Sequence, residues 1–205
     1  MRPTPDNGVR LSATRVWDEA TRPTGPAPDP DRVYTPAQEA QGQHLVDVHD
    51  HLRAELDRLR QLMTDVLEER LDPGVARSHI SRRLRSGIIE QLNTMTLRQH
   101  NWTLGAYCQT YCRVVTTHHT FEDIGMLPAI KEADPRLAPV IDRLAEEHRV
   151  IHEVIEGVDR ALVAFVSDPN RAEDVREAVN VLTDALLSHL SYEERELVEP
   201  LARLS

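Results

Sequence analysis

Four stretches of this chain carry an apolar stripe at helical spacing, and each stripe is interrupted by histidine. No other feature limits the possible folds so strongly. The first stripe is Leu45, Val48, Leu52, Leu56, Leu59, Met63 and Val66; His49 breaks it. The second is Leu104, Tyr107, Tyr111, Val115, Met126 and Ile130, broken by His118 with Glu122 four residues on. The third is Leu137, Val140, Ile141, Leu144, Ile151, Ile155, Val158 and Leu162, broken by His148 and His152. The fourth is Val175, Val179, Leu182, Leu186, Leu190, Leu197 and Leu201, broken by His189 and Glu193. Apolar residues recurring every three to four positions mark amphipathic helices. Four such helices joined by mostly short links predict an all-α, antiparallel up-down bundle.

The helix ends are also signalled. Thr35 is a predicted N-cap with Pro36 at the first helical position, and this helix is expected to end near Arg70, before Asp72-Pro73-Gly74. The other long helices are expected at about 101–131, 136–167 and 171–203, separated by Asp134-Pro135 and Asp168-Pro169, with Asn170 and Glu173 resembling a capping box. Between the first two, residues 75–92 read as a shorter basic helix and 93–100 as a polar connection. Seven of the thirteen prolines lie in the first 36 residues, so 1–34 reads as an extended arm attached to a bundle over 35–205, with a short helix near Ala13–Ala20. Trp17 in such an arm implies packing, on the bundle or on a second copy; with the basic segment it is a candidate homodimer contact.

The interrupting residues share one level. In an up-down bundle, His49 lies about 13 residues from Pro36, His118 about 13 from Lys131, His148 about 12 from Arg136 and His189 about 14 from Arg203. At 1.5 Å per residue all four stand roughly 20 Å from the same end. A pair at i, i+4 projects from one helix face. Five imidazoles and two carboxylates buried without partners would cost several kcal/mol or more, and a metal centre removes that cost by making them ligands. The expected metal ligands are His49, His118, Glu122, His148, His152, His189 and Glu193. His51 competes with His49 but lies along Asp47, Glu55 and Arg58, a wet face. The pair His119–Asp123 competes with His118–Glu122; it follows Cys112 and Thr116, a less apolar line than Tyr111 and Val115. His44, His79 and His100 read as surface, interface or supporting residues.

These motifs, HDHL at 49–52, HHTFED at 118–123, HRVIH at 148–152 and HLSYE at 189–193, resemble the hemerythrin-like, or HHE cation-binding, family over about residues 40–200. The resemblance implies two iron ions with an oxo or hydroxo bridge. His148, His152 and His189 would hold one, His49 and His118 the other, and Glu122 and Glu193 would bridge. The second iron would keep an open position for dioxygen, peroxide or nitric oxide, in sensing, protection or transport. Leu45, Leu52, Tyr111, Val114 and Val115 are the residues expected to face it. Tyr111 and Tyr192 are candidates to support the site. Alternatives are a di-iron enzyme that decomposes peroxide or oxidises an organic substrate, and an iron-homeostasis module. The 71–100 insertion and the Pro-rich arm depart from the small oxygen carriers of the family and weigh against a simple carrier role.

Composition narrows the partners. A net charge of −10 argues against nucleic acid and anionic membrane. No apolar run would span a bilayer, the first residues lack a signal-peptide core, and Cys108 and Cys112 read as free, semi-buried thiols. The expected location is the cytoplasm.

Overall fold

The computed structural model describes residues 8–71 and 88–204. Its helices are α1 (Pro36–Leu71), α2 (Ile88–Phe121), α3 (Leu127–Ala133), α4 (Ala138–Ser167) and α5 (Ala172–Arg203). A five-residue π turn, Glu122–Met126, joins α2 to α3 without a break. No strand occurs among the described residues.

Local chemistry sets the ends. At the start of α1 the Gln38 N–H donates to Thr35 Oγ1 (3.3 Å) and the Thr35 N–H donates to Gln38 Oε1 (3.1 Å), a reciprocal capping box. Asp134 receives the Arg136 N–H and so starts the 3-10 turn Pro135–Leu137 that leads into α4. Asp168 does the same before α5, accepting from the Asn170 N–H. The expected cap at Asn170 is therefore displaced: Asp168 stands ahead of Pro169 and takes the free N–H first. The polar connection expected at 93–100 is instead part of α2. Residues 88–100 contain neither proline nor glycine, so nothing local stops the helix. Most of the short helix expected at 75–92 lies outside the described residues.

α1 runs antiparallel to α5 and to α2: from Gly42 to His49 its contact on α5 recedes from Val198 to Glu194, and from Leu52 to Glu55 its contact on α2 recedes from Tyr111 to Tyr107. His49 meets Glu194 between α1 and α5, Tyr111 meets Leu52 between α2 and α1, and His189 meets Glu147 between α5 and α4. At Gly42 the backbones of α1 and α5 come close: a Cβ there would sit 2.5 Å from the Val198 carbonyl oxygen. The apolar core is in two parts. One, around Leu52, Leu59, Val115, Ile151 and Leu186, fills one end of the bundle. The other, around Leu45, Ile130, Val140, Leu144 and Leu197, fills the opposite end. Between them lies a layer of buried histidines and glutamates.

The arm lies on the bundle. Its expected short helix is reduced to one 3-10 turn, Glu19–Thr21. The Leu11 and Ser12 N–H groups donate to Asp184 at 2.9 Å, and the Gly25 N–H donates to Glu196 at 2.7 Å. Trp17 is half-buried against the bundle core, so of the two expected packings the structure shows the one within the chain. Cys108 is buried and Cys112 half-buried, both unbonded; burial pushes their thiols up to about 12 and about 11.

Candidate metal centre

Each long helix contributes to the polar layer through its core-facing seam. On α4 the buried residues run Leu144, His148, Ile151, Ile155, Val158, in steps of four and three. His148 is on that seam. His152 is not: it lies a full 100° step past Ile151, on a side chain 58% exposed, with Nε2 3.7 Å from Glu156. The structure thus does not bring His152 to the expected cluster. On α2 the seam passes through Tyr111 and Val115 and then between His118 and His119, so both imidazoles enter the layer. After Glu122 the next buried residue is Leu127, a step of five in place of four. The π turn supplies the extra residue. Such turns are frequent at functional sites because they re-aim side chains. Here Glu122 points inward and Asp123 reaches His148.

Two groups of candidate ligands result. His119, His148 and His189 form one; His49, His118, Glu122 and Glu193 form the other. Within each group the ligand atoms lie within 4.8 Å of one another. The carboxylates straddle both. Glu193 Oε2 is 3.6 Å from His49 Nε2 and 3.6 Å from His189 Nε2. Glu122 offers Oε1 to His118 Nε2 at 3.1 Å and Oε2 to His148 Nε2 at 3.7 Å.

A ring of carboxylates behind the layer fixes three of the imidazoles. His49 Nδ1 is 3.0 Å from Glu194 Oε1, His148 Nδ1 is 2.7 Å from Asp123 Oδ1, and His189 Nδ1 is 3.1 Å from Glu147 Oε2. A carboxylate accepts only, so each Nδ1 carries the proton and each Nε2 turns a lone pair inward. Sequence reasoning missed Glu194 and Glu147 and weighed Asp123 only as part of a competing ligand pair. Glu194 and Glu147 each adjoin a candidate ligand in the chain, which is the signal that would have found them.

The inward atoms are orphans. The Nε2 atoms of His49, His118, His119, His148 and His189 and all four carboxylate oxygens of Glu122 and Glu193 are buried without a hydrogen bond. Burial pushes Glu193 up to about 8 and Glu122 well above the carboxylate range. Burial likewise holds His118 down to about 3 and keeps His49, His119, His148 and His189 below the usual imidazole value. Burial raises Glu194 too, but hydrogen bonds from His49 and Arg53 outweigh it and leave that acid below its ordinary value. The layer therefore gathers unprotonated nitrogens around carboxylates that lack a counter-charge, the condition a bound cation satisfies.

The layer is open to a cleft between α1 and α2. This mostly apolar cleft of about 730 Å³ is lined by Leu45, Val48, Val114, Phe121 and Met126 and reaches His118 and Glu122. His44 lies on its rim. Of the residues expected to face an open metal position, Leu45 and Val114 line this cleft; Leu52, Tyr111 and Val115 are buried in the adjoining core. The Tyr111 hydroxyl donates to the Leu52 carbonyl at 3.1 Å, and that of Tyr192 to the Pro23 carbonyl at 2.8 Å, so neither aims at the ligand atoms. His51 is exposed and His79 is outside the described residues.

A helical bundle with imidazoles and carboxylates converging from four helices on one buried layer defines a cation-binding domain of the bundle class. The comparison with protein families gives the particular one: the chain belongs to the hemerythrin HHE cation-binding domain family, whose model matches residues 41–201. No curated protein and no solved structure matches the chain significantly. No described helix is long and apolar enough to cross a membrane.

Proposed function

We propose that the buried layer holds two iron ions and binds a small oxidant at one of them. The carrying observation is the position of Glu122 and Glu193, each with oxygen near both groups of histidines. A carboxylate so placed is suited to bridge two ions. In this reading His119, His148 and His189 would hold the first ion, His49 and His118 the second, and Glu122 and Glu193 would be shared between them; His152 would take no part. Mixed imidazole and carboxylate ligands at two bridged positions favour iron over zinc. The first ion would have the fuller set of ligands from the protein. The second would have one fewer, and iron left with an open position there would supply a place for dioxygen, peroxide or nitric oxide.

The protein's own contribution is orientation and access. Glu194, Asp123 and Glu147 hold three imidazoles in one tautomer. The apolar cleft leads to His118 and Glu122, on the side of the less fully ligated ion. The cleft also favours a second reading, oxidation of an apolar organic substrate, because about 730 Å³ is far more room than a diatomic ligand needs. Free thiols at Cys108 and Cys112 suit a reducing compartment, so we place the protein in the cytoplasm.

Elemental analysis with optical spectra before and after dioxygen, azide and peroxide tests the proposal. The expected result is iron at two ions per chain with a spectrum that azide changes. Protein that folds in iron-rich medium without taking up metal overturns it. Turnover of an apolar substrate with consumption of dioxygen selects the second reading.

A further inference from the structure

The N-terminal arm lies outside the matched family region, yet one of its side chains ends beside the buried layer. Arg22 is 6% exposed. Its Nε donates to Glu147 Oε1 at 2.8 Å and its NH2 nitrogen to Glu147 Oε2 at 2.9 Å, a two-pronged grip. The NH1 nitrogen donates to Ser188 Oγ at 2.9 Å. The guanidinium lies between two aromatic rings, 4.7 Å from the centre of Tyr192 and 5.4 Å from that of Trp17. Glu147 Oε2, held in this way, faces His189 Nδ1 at 3.1 Å. Arg143 also donates to Glu147, at 2.9 Å.

The arm cannot slide without moving this contact. Leu11 and Ser12 anchor it to Asp184 on one side of Arg22, and Gly25 anchors it to Glu196 on the other. A Cβ at Gly25 would lie 2.8 Å from Leu137, so the chain is seated closely there. The second histidine group has an arrangement of the same kind built without the arm: Arg53 donates to Glu194 at 2.6 Å, and Glu194 faces His49.

We propose that the arm is a working part of the metal centre: Arg22 is a positioning residue that, through Glu147, sets the orientation of His189 and so governs the ion at His119, His148 and His189 without governing the other. This rests on the two-ion reading above. Partners of this kind behind a metal-ligating histidine typically carry a 10–100-fold effect on affinity.

The test uses the full chain with iron and a competing chelator. The variants are Arg22→Ala, Arg22→Lys and Arg53→Ala, with His119→Ala and His118→Ala as references for loss of either ion. Arg22→Ala is expected to weaken one ion about 10–100-fold, leave the other as in the wild type, and give at intermediate chelator the spectrum of His119→Ala. Arg22→Lys keeps the charge without the two-pronged grip and is expected to fall between. Arg53→Ala is expected to give the spectrum of His118→Ala. Melting of each metal-free variant separates this from general destabilisation. Wild-type affinity for both ions in Arg22→Ala and Arg22→Lys, or equal weakening of both ions, overturns the proposal while the two-ion reading stands. Fewer than two ions in the wild type overturns that reading and the proposal with it.

Discussion

An imidazole has two nitrogens, and at His49, His148 and His189 each has a separate task. Nδ1 faces a carboxylate and Nε2 faces the interior of the layer. His119 enters the same layer with its ring stacked on that of His148, centroids 4.2 Å apart. His152, four residues after His148, points to water. Replacing His119 with Ala is therefore expected to remove about one of the two proposed ions, whereas His152→Ala binds metal as the wild type does; metal analysis of the two variants separates them. Proton competition gives a second expectation. Burial holds Glu193 up to about 8, so its carboxyl keeps its proton at neutral pH in the metal-free protein, and burial shifts Glu122 in the same direction. The imidazoles, held low by burial, have already lost theirs. Metal must then displace carboxyl protons, so apparent affinity is expected to climb from pH 6 to about 8 and level off above it. Chelator competition across that range measures the slope. A slope that is flat from pH 6 to 8 would place the carboxyl protons elsewhere.

At the scale of the element, what decides the site is how each helix presents its seam. Much of this was legible in the sequence. The stripe residues of all four expected helices could be read from spacing, and so could the Thr35 cap and the common level of His49, His118, His148 and His189, because apolar periodicity is written locally. The position of His152 was legible only in part: His148, Ile151, His152 and Ile155 share the spacing of a single helix face, and only Leu144 and Val158 tip the seam away from His152. His119 was harder. Cys112 and Thr116 precede it on its line, and their half-burial shows that the inner face of α2 is wider than its apolar stripe. The π turn is marked in the sequence by Gly125 inside it and by Pro128 just past it, which has no N–H to donate to the preceding turn, and by a step of five between the buried Glu122 and Leu127. The α1–α5 contact yields a direct prediction. Gly42→Ala would press a methyl group against the Val198 carbonyl and force the helices apart. The expected cost is about 1–3 kcal/mol, seen as a melting temperature lower by several degrees. An unchanged melting temperature would mean the two backbones are not this close.

For the whole molecule, the division of the core into two apolar parts makes the layer between them a point of weakness unless it is filled. Nine buried polar atoms of the five histidines and two glutamates named above have no hydrogen bond there. A ligand present at a thousand times its dissociation constant stabilises the folded state by about 4 kcal/mol. Removing metal with a chelator is accordingly expected to lower the melting temperature by roughly 10 °C, and restoring iron to recover it. Equal melting curves with and without metal would show that the layer is stable by itself. The contacts of the arm could not be read from sequence by any periodicity, since Arg22 and Glu147 are 125 positions apart. That distance also orders events in time. During synthesis the arm is made well before its anchors Asp184 and Glu196. The segment holding Arg22 must therefore wait for its anchors until α5 has been made, and the surroundings of His189 are completed only when that helix and the arm come together.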